Sequence, residues 1–446
     1  MGNPRYDVII VGARCAGATL ATYLARSGAS VLLLDRDTLP SDQVLSTHTI
    51  HPPGIDVLDE VGVGDAMREV TPPTNRIRLE KSGAALDLQF GPGRFEFCPR
   101  RKRLDGLLQD AAVTAGARLL DQTRVTSLLE ENGRVTGVRA VGDGEERIFH
   151  GDLVVGADGR HSTMAQLVGA EEYLGYDAPR AMYWAYWDAP TFWRSDAAYP
   201  FDMYVGKNGD DVRAIFQTDH DQLLIGSLPP VAGTGPWRTD PRGALIANLA
   251  AHPLTGPLIE GSQPDGKVRG TVKERYFFRD GTGPGWALVG DAGHHKEFVI
   301  GDGITEALIQ ARDLARAIGE GTDRALLRWW RARDVEALPL YFFGQDEGAL
   351  GPPPELQRVV FSRVAERPEI QKRLVRTMEH EVSPYGVMRA SDVLRWMLAA
   401  ALRGRPRVIG EFLAMGKRAT QVKRELEFRK SLLAGLDGAE LVDGGR

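Results

Sequence analysis

The six residues Gly12-Ala13-Arg14-Cys15-Ala16-Gly17, with Asp35 following 18 residues after Gly17, are the first in the chain whose types and spacing could do chemistry. Glycines in this arrangement let a strand turn tightly into a helix and let the two pack closely. The helix N-terminus then offers N–H groups to a pyrophosphate, and an acid about 20 residues on accepts a ribose hydroxyl. The pattern predicts a dinucleotide site. Its one departure is Arg14, which stands where the middle glycine would let the backbone approach the phosphate. Cys15 reads as a small residue packed in the turn. A second candidate is His48 in Ser46-Thr47-His48, because an imidazole titrates near neutral pH and can act as general acid or base. A structural histidine bonded to backbone is the alternative there. A third group is His294-His295-Lys296-Glu297-Phe298-Val299-Ile300-Gly301-Asp302-Gly303-Ile304, which leads into an apolar-periodic segment. Asp302 there can cap the following helix or serve as a base. His295 is a further candidate, and Lys296 reads as the solvent-facing partner of a nearby acid.

The elements that position these residues follow from hydrophobic patterning. Tyr6 to Val11 is a continuous apolar run, the spacing of Leu20, Leu24 and Ala25 predicts a helix, and Ser30 to Leu34 reads as a second buried strand. Together they make a βαβ unit. A helix over Arg101 to Ala117 and strands at Val135 to Val141 and Asp152 to Gly156 add further α/β material. The middle differs: Arg180 to Asp188, Phe201 to Lys207, Val212 to Thr218, Gln222 to Leu228 and Lys267 to Phe278 are aromatic or β-branched runs cut by Gly, Pro and Asp, as in an antiparallel sheet. Within the first of these, Trp184 and Tyr186 alternate with Tyr183 and Trp187, so the two pairs point to opposite faces. One face packs on core and the other could line a pocket for a flat, greasy substrate. The chain returns to a strand at Trp286 to Val289 and then to a long helix from about Ile304 to Ile318. Fold class is therefore α/β, a Rossmann-like domain with an inserted antiparallel sheet and a helical C-terminal region. The expected boundaries are 1–75, 100–178 and 268–320 for the dinucleotide domain, 76–99 and 179–267 for the inserted sheet, and 321–446 for the C-terminal helices.

Composition excludes several classes. With 446 residues, 55 Lys+Arg against 60 Asp+Glu and a net charge of −5, whole-chain electrostatics do not point to nucleic acid. The two cysteines, Cys15 and Cys98, are too few for a disulfide framework, no Cys/His cluster has zinc spacing, and a reducing cytoplasm is the expected home. The chain enters a strand at once with no leader pattern, and no apolar run approaches the ~18 residues of a membrane helix; Val393 to Leu402 is short and broken by Arg395. Residues 352–446 carry 18 basic and 12 acidic residues, a surplus of +6. That predicts a solvated helical tail and a possible homodimer surface.

Two more segments identify the dinucleotide. Val154-Val155-Gly156-Ala157-Asp158-Gly159-Arg160-His161-Ser162 and Ala287-Leu288-Val289-Gly290-Asp291-Ala292-Gly293-His294 resemble the DG and GD motifs of the single-component FAD monooxygenases, the para-hydroxybenzoate hydroxylase-like family. Arg101 with Leu104 and Asp105 resembles that family's Arg-x-x-Leu-Asp segment. Order and spacing match over roughly residues 6 to 345. The resemblance implies that Gly12, Arg14, Cys15, Ala16, Gly17, Asp35 and Arg36 hold the ADP half of FAD, Arg101 lies beside the pyrophosphate, and Val125 meets adenine through its backbone. Asp158 would serve FAD and the incoming nicotinamide, and Gly290 and Asp291 the ribityl chain. Gly303 and Ile304, at the helix N-terminus, would face flavin N1 and the C2 carbonyl, where the dipole favours a negative charge. His48 falls where related flavoproteins approach the flavin ring. Two departures are visible: the proline usual near Phe298 is missing, and Asp302 replaces an uncharged polar residue.

The implied activity is that of an FAD-dependent monooxygenase using NADPH or NADH and O2 to oxygenate a hydrophobic small molecule, aromatic or polycyclic, through a flavin C4a-hydroperoxide. A similar framework occurs in geranylgeranyl reductase-type flavoproteins, which makes a reductase or dehydrogenase the alternative, and a non-catalytic FAD-fold binding protein a minor one. No second glycine-rich strand-turn-helix exists for a separate nicotinamide domain, since Gly62-Val63-Gly64 follows a helical pattern. The Trp-x-Trp-x-Ile-Pro segment of the flavin halogenases is only echoed by Trp184-Ala185-Tyr186-Trp187-Asp188-Ala189-Pro190.

Overall fold

The computed structural model describes residues 5–41 and 48–438. Arg5–Val11 is the central strand of an eight-stranded sheet, and its inward residues Ile9 and Ile10 are fully buried. Val31–Leu34 pairs with it in parallel on one side and Glu145–Gly156 on the other. Arg118–Leu120 and Trp286–Leu288 extend the parallel order at the two flanks. All four residues of Val31–Leu34 are buried, as expected for a parallel strand covered on both faces. The hairpin Thr123–Glu131 and Arg134–Gly142 joins the same sheet antiparallel to Glu145–Gly156. The helices Cys15–Arg26, Arg101–Thr114 and Gly303–Gly319 cover one face and share a core with Val8, Ile10 and Leu33.

A second, seven-stranded sheet has the spatial order Asp265–Thr271, Met182–Asp188, Gln222–Ser227, Asp211–Thr218, Met203–Asn208, Arg76–Lys81, Ala84–Gln89. It is antiparallel except where Met203–Asn208 runs parallel to Arg76–Lys81. The run Lys267 to Phe278 is split: Asp265–Thr271 belongs to this sheet, whereas Arg275–Arg279 pairs with Glu172–Asp177 and His294–His295 in a separate three-stranded sheet. Both faces of the aromatic strand are covered. Tyr183 and Trp187 enter one cluster with Phe201 and Leu245, and Trp184 and Tyr186 enter another with Leu86, Phe216 and the C-terminal helices.

That second cluster corrects the expectation of a solvated tail. Leu356, Val360, Val364, Ile370, Val375, Val393, Trp396 and Met397 are buried against the large sheet, so residues 355–400 roof it instead of trailing from it. Arg180, fully buried, ties the end of the Asp323–Gly348 helix to the sheet. Its guanidinium donates to the carbonyl oxygens of Gly348, Asp210, Leu228, Gly209 and Ala349 at 2.8–3.2 Å, so every bond falls on backbone. No helix among the described residues is long and apolar enough to cross a membrane.

Candidate FAD site

One long cleft of about 450 Å³ runs along the C-terminal edge of the parallel sheet, from the glycine turn to the start of the Gly303–Gly319 helix. In an open parallel sheet this edge is where ligands bind. Gly12 adopts φ +106°, and a Cβ on it would lie 2.4 Å from the Ala157 carbonyl oxygen. A Cβ on Gly17 would lie 1.8 Å from the Gly12 oxygen. Both glycines are demanded by close backbone approach. Gly17 supports the turn without lining the cleft, whereas Gly12, Arg14, Cys15 and Ala16 line it. The Arg14 side chain is turned aside to Asp37 and Ser41, each at 2.8 Å, which relieves the crowding its position would otherwise cause. Cys15 is buried with its Sγ 3.2 Å from Asp105 Oδ1, and burial pushes its thiol pKa far up.

Asp35 and Arg36 line the same end. The Asp35 carboxylate accepts the Ala13 N–H at 2.8 Å and the Asp37 N–H at 2.9 Å, so it braces the turn as well. Arg101 opens the Arg101–Thr114 helix, donates through Nη2 to both carboxylate oxygens of Asp105 at 3.0 Å and keeps a buried Nε with no partner among the described residues. Asp158 is held by the Ser162 hydroxyl and the Met164 N–H, and burial raises its carboxyl above the usual range. Val125 and Asp291 also line the cleft, while Gly290 lies behind it with its N–H on Gln310 Oε1 at 3.2 Å. The far end is formed by Gly303 and Ile304, whose N–H groups, like any in a first helical turn, have no partner within the helix. Nothing lies within 4 Å of where a Cβ on Gly303 would be. An unpartnered arginine nitrogen, two helix N-termini and an open glycine along one cleft are the donor set an extended dinucleotide requires.

Beneath Gly303 the structure gathers charges that sequence patterning did not connect. Lys296 is buried rather than solvent-facing: its Nζ lies 2.6 Å from Asp302 Oδ2 and is also bonded to Glu306. Asp302 sits at the helix N-cap position, yet its side chain makes no cap bond. It turns to Lys296, to His380 Nε2 at 3.0 Å and toward His51 Nε2 at 3.9 Å. Burial works against its ionisation, but His380 and Lys296 hold its carboxyl well below the usual range. Burial likewise disfavours charge on His51, but Glu96, bonded to Nδ1, and Asp302 hold the imidazolium up to about 9. Glu306 is raised by burial and His294 lowered by it. The geometry is set by the Ile50–Phe97 bridge, which brings His51 beside Glu96, and by the His51 N–H bond to Thr305 Oγ1 at 2.9 Å. His51, Glu96 and His380 carried no motif; the one signal in sequence was His51 preceding Pro52-Pro53, a helix start.

His48 is not among the residues lining the cleft, although Thr49 is. Its Nε2 is bonded to the Tyr186 hydroxyl and its ring meets Trp184 edge-on at 5.0 Å. Ser46 and Thr47 lie outside the described residues. His295 lines the cleft with Nδ1 3.0 Å from the Arg275 carbonyl oxygen. Across the Phe298–Ile300 turn lies a second, apolar cavity of about 40 Å³ walled by Met182, Met203, Val212, Phe216 and Leu224. Phe298 and Gly301 belong to both walls.

Comparison with known proteins agrees with this geometry. The chain is 26% identical over 366 residues to a probable electron transfer flavoprotein-quinone oxidoreductase of Escherichia coli, covering 77% of this chain and 82% of that one. It is 35% identical over 170 residues to a 6-methylpretetramide 4-monooxygenase of Streptomyces rimosus, covering 36% and 40% of the two chains. In fold it is similar to the flavin-dependent brominase Bmp2, at a TM-score of 0.71 and 16% identity over 90% of this chain and 100% of that one. It is also similar to the p-nitrophenol 4-monooxygenase PnpA of Pseudomonas putida, at 0.70 and 14% over 86% and 100%. The family model for the FAD binding domain matches residues 5–326, nearly the whole span from the first strand to the start of the C-terminal helices. The chain belongs to the FAD binding domain family and is an FAD-dependent oxidoreductase.

Proposed function

We propose that this protein is an NAD(P)H-dependent FAD monooxygenase that oxygenates a hydrophobic, aromatic or polycyclic small molecule. The observation that carries the reading is the meeting of two spaces at one turn. A polar, donor-lined cleft suited to FAD touches an apolar cavity that offers methionine, valine and phenylalanine side chains. Bound FAD would supply the redox chemistry, hydride acceptance from a nicotinamide and O2 activation. The chain's own residues do the rest. Gly12, Arg14, Cys15, Ala16, Asp35, Arg36 and Arg101 hold the ADP and pyrophosphate end, Val125 meets adenine, and Asp158 and Asp291 hold the centre, with Gly17 and Gly290 supplying the close packing behind them. The N–H groups of Gly303 and Ile304 favour negative charge at the ring end. Met182 and Met203 are unbranched and adaptable, and they would have to move for so narrow a cavity to take a ring. Burial by the Phe298–Gly301 turn and the large sheet excludes water from the reacting face. Asp302, ionised and held by Lys296 and His380, and His48, fixed on Tyr186, set the polarity on either side.

The halogenase relationship is one of fold alone at 16% identity. The relative named as a quinone oxidoreductase covers more of the chain than the monooxygenase does, so electron transfer to a quinone is the second reading. The separating experiment reconstitutes the protein with FAD, reduces it anaerobically with NADPH or NADH, and admits isotopically labelled dioxygen with a panel of aromatic compounds. One labelled oxygen atom in a product supports the monooxygenase. Reoxidation by a soluble quinone with no label in any product assigns the second reading, and failure to bind FAD refutes both.

A further inference from the structure

The hairpin formed by the Ala390–Leu402 helix and the start of the Arg407–Gly438 helix presents an apolar surface that no described residue covers. The first helix is apolar on two sides, with Asp392 and Arg395 its only charges. Val393, Trp396, Met397 and Ala400 face the core, whereas Leu394, Leu398 and Leu402, at successive intervals of four, face out. Leu402, at the tip, is 89% exposed. Across the turn Ile409, Leu413 and Met415 are exposed in the same way. Large exposed apolar patches mark interaction surfaces.

The charges around this ridge say what covers it. Residues 389–418 hold seven basic side chains and two acidic ones. Both acids are already engaged: Asp392 bonds Arg395, and Glu411 accepts the N–H groups of Glu355 and Leu356 at 3.1 and 2.6 Å. Arg403 and Arg407, flanking the tip, and Lys417 form no ion pair with a described residue, while Arg405, more than half exposed, lies 3.7 Å from Glu355 Oε1. A second copy docking the same face would set two such basic surfaces against each other, so charge disfavours self-association here. A helical turn with exposed leucines and arginines beside them has the composition of an element that lies in an anionic lipid interface.

We propose that the 390–415 hairpin docks this protein onto anionic membrane surfaces, with Leu398, Leu402 and Leu413 entering the acyl boundary and Arg403, Arg405 and Arg407 meeting lipid phosphates. Such docking presents the enzyme to greasy molecules where they concentrate.

The test is flotation of the full-length, FAD-loaded protein with vesicles of phosphatidylcholine alone and of phosphatidylcholine with a quarter phosphatidylglycerol. Binding is expected to the second only and to weaken with salt. Replacing the three arginines at the tip by glutamine is expected to lower vesicle affinity on the order of a hundredfold at low salt. Leu398→Glu with Leu402→Glu is expected to lower it by about tenfold or more. Flavin absorbance and the unfolding midpoint, unchanged in both variants, show that the fold is intact. Three results overturn the proposal: no binding of the unaltered chain to anionic vesicles, binding that both variants retain, or a doubled mass in light scattering that the leucine variant abolishes. The last assigns the face to a second copy.

Discussion

Glu297 offers the sharpest test of the electrostatic reasoning. It is 1% exposed and lines the FAD cleft, packed against the Asp323–Gly348 helix where two glycines leave room for it. A Cβ on Gly348 would lie 2.3 Å from its Oε2, and one on Gly344 2.9 Å from its Cβ. Oε1 accepts the Tyr276 hydroxyl at 3.0 Å, while Oε2 has no side-chain partner among the described residues. Burial outweighs these contacts and the distant Arg180, raising its carboxyl from 4.5 to about 7. The folded protein therefore holds this proton more tightly than the unfolded chain does. Stability attached to the group is complete below pH 4.5 and declines as pH rises through 7. The gap between the two values corresponds to a loss on the order of 3 kcal/mol above both. Glu297→Gln keeps the shape and the Tyr276 bond but does not titrate. Urea unfolding in excess FAD should find the variant and the parent within about 1 kcal/mol near pH 5. By pH 8 the variant should be more stable by up to about 3 kcal/mol, a midpoint shift of up to about 1 M for a chain this long. A stability difference that stays constant from pH 5 to pH 8, or a variant that is the weaker one at pH 8, refutes the assignment.

Lys296→Met removes the cation that Asp302 and Glu306 share and should cost about 3–5 kcal/mol in denaturant titration; adding Glu306→Gln should return part of that loss, because one of the stranded carboxylates is gone. Because the Asp302 carboxyl is held below its ordinary value, the stability it supplies is present at neutral pH and disappears on acidification below about pH 4, a component that unfolding curves of Asp302→Asn should lack. Arg180→Lys replaces a fork that satisfies five carbonyl contacts with a point charge, and a destabilisation of about 2–4 kcal/mol is expected from midpoints. A thiol reagent at pH 8 should modify neither Cys15 nor Cys98 in the native protein and both in denaturant, since burial raises both thiols well above their ordinary value.

What was legible in sequence and what was not divides along the range of the forces involved. The glycine turn, Asp35, the Asp158-Gly159 and Gly290-Asp291 turns and the helix after Asp302 are local: each depends on residues within a few positions, so spacing alone reveals it. The Asp302 cluster is not local. His51, Glu96, Lys296, Glu306 and His380 meet across more than 300 positions, brought together by the Ile50–Phe97 bridge and by the C-terminal roof, and no period in the chain links them. Lys296 reads as a surface residue because lysines ordinarily are. Its burial follows from two carboxylates supplied by the N-cap position and first turn of the next helix. The roof itself was readable, since Leu356, Val360 and Val364 repeat at four-residue intervals. Net charge summed over all faces hid it, because a helix whose exposed half is basic can still bury a full apolar stripe. The same sum concealed the opposite case at Ala390–Leu402, whose outer leucines no described residue covers. Charge and hydropathy become informative about function when they are assigned to faces, and the fold alone assigns the faces.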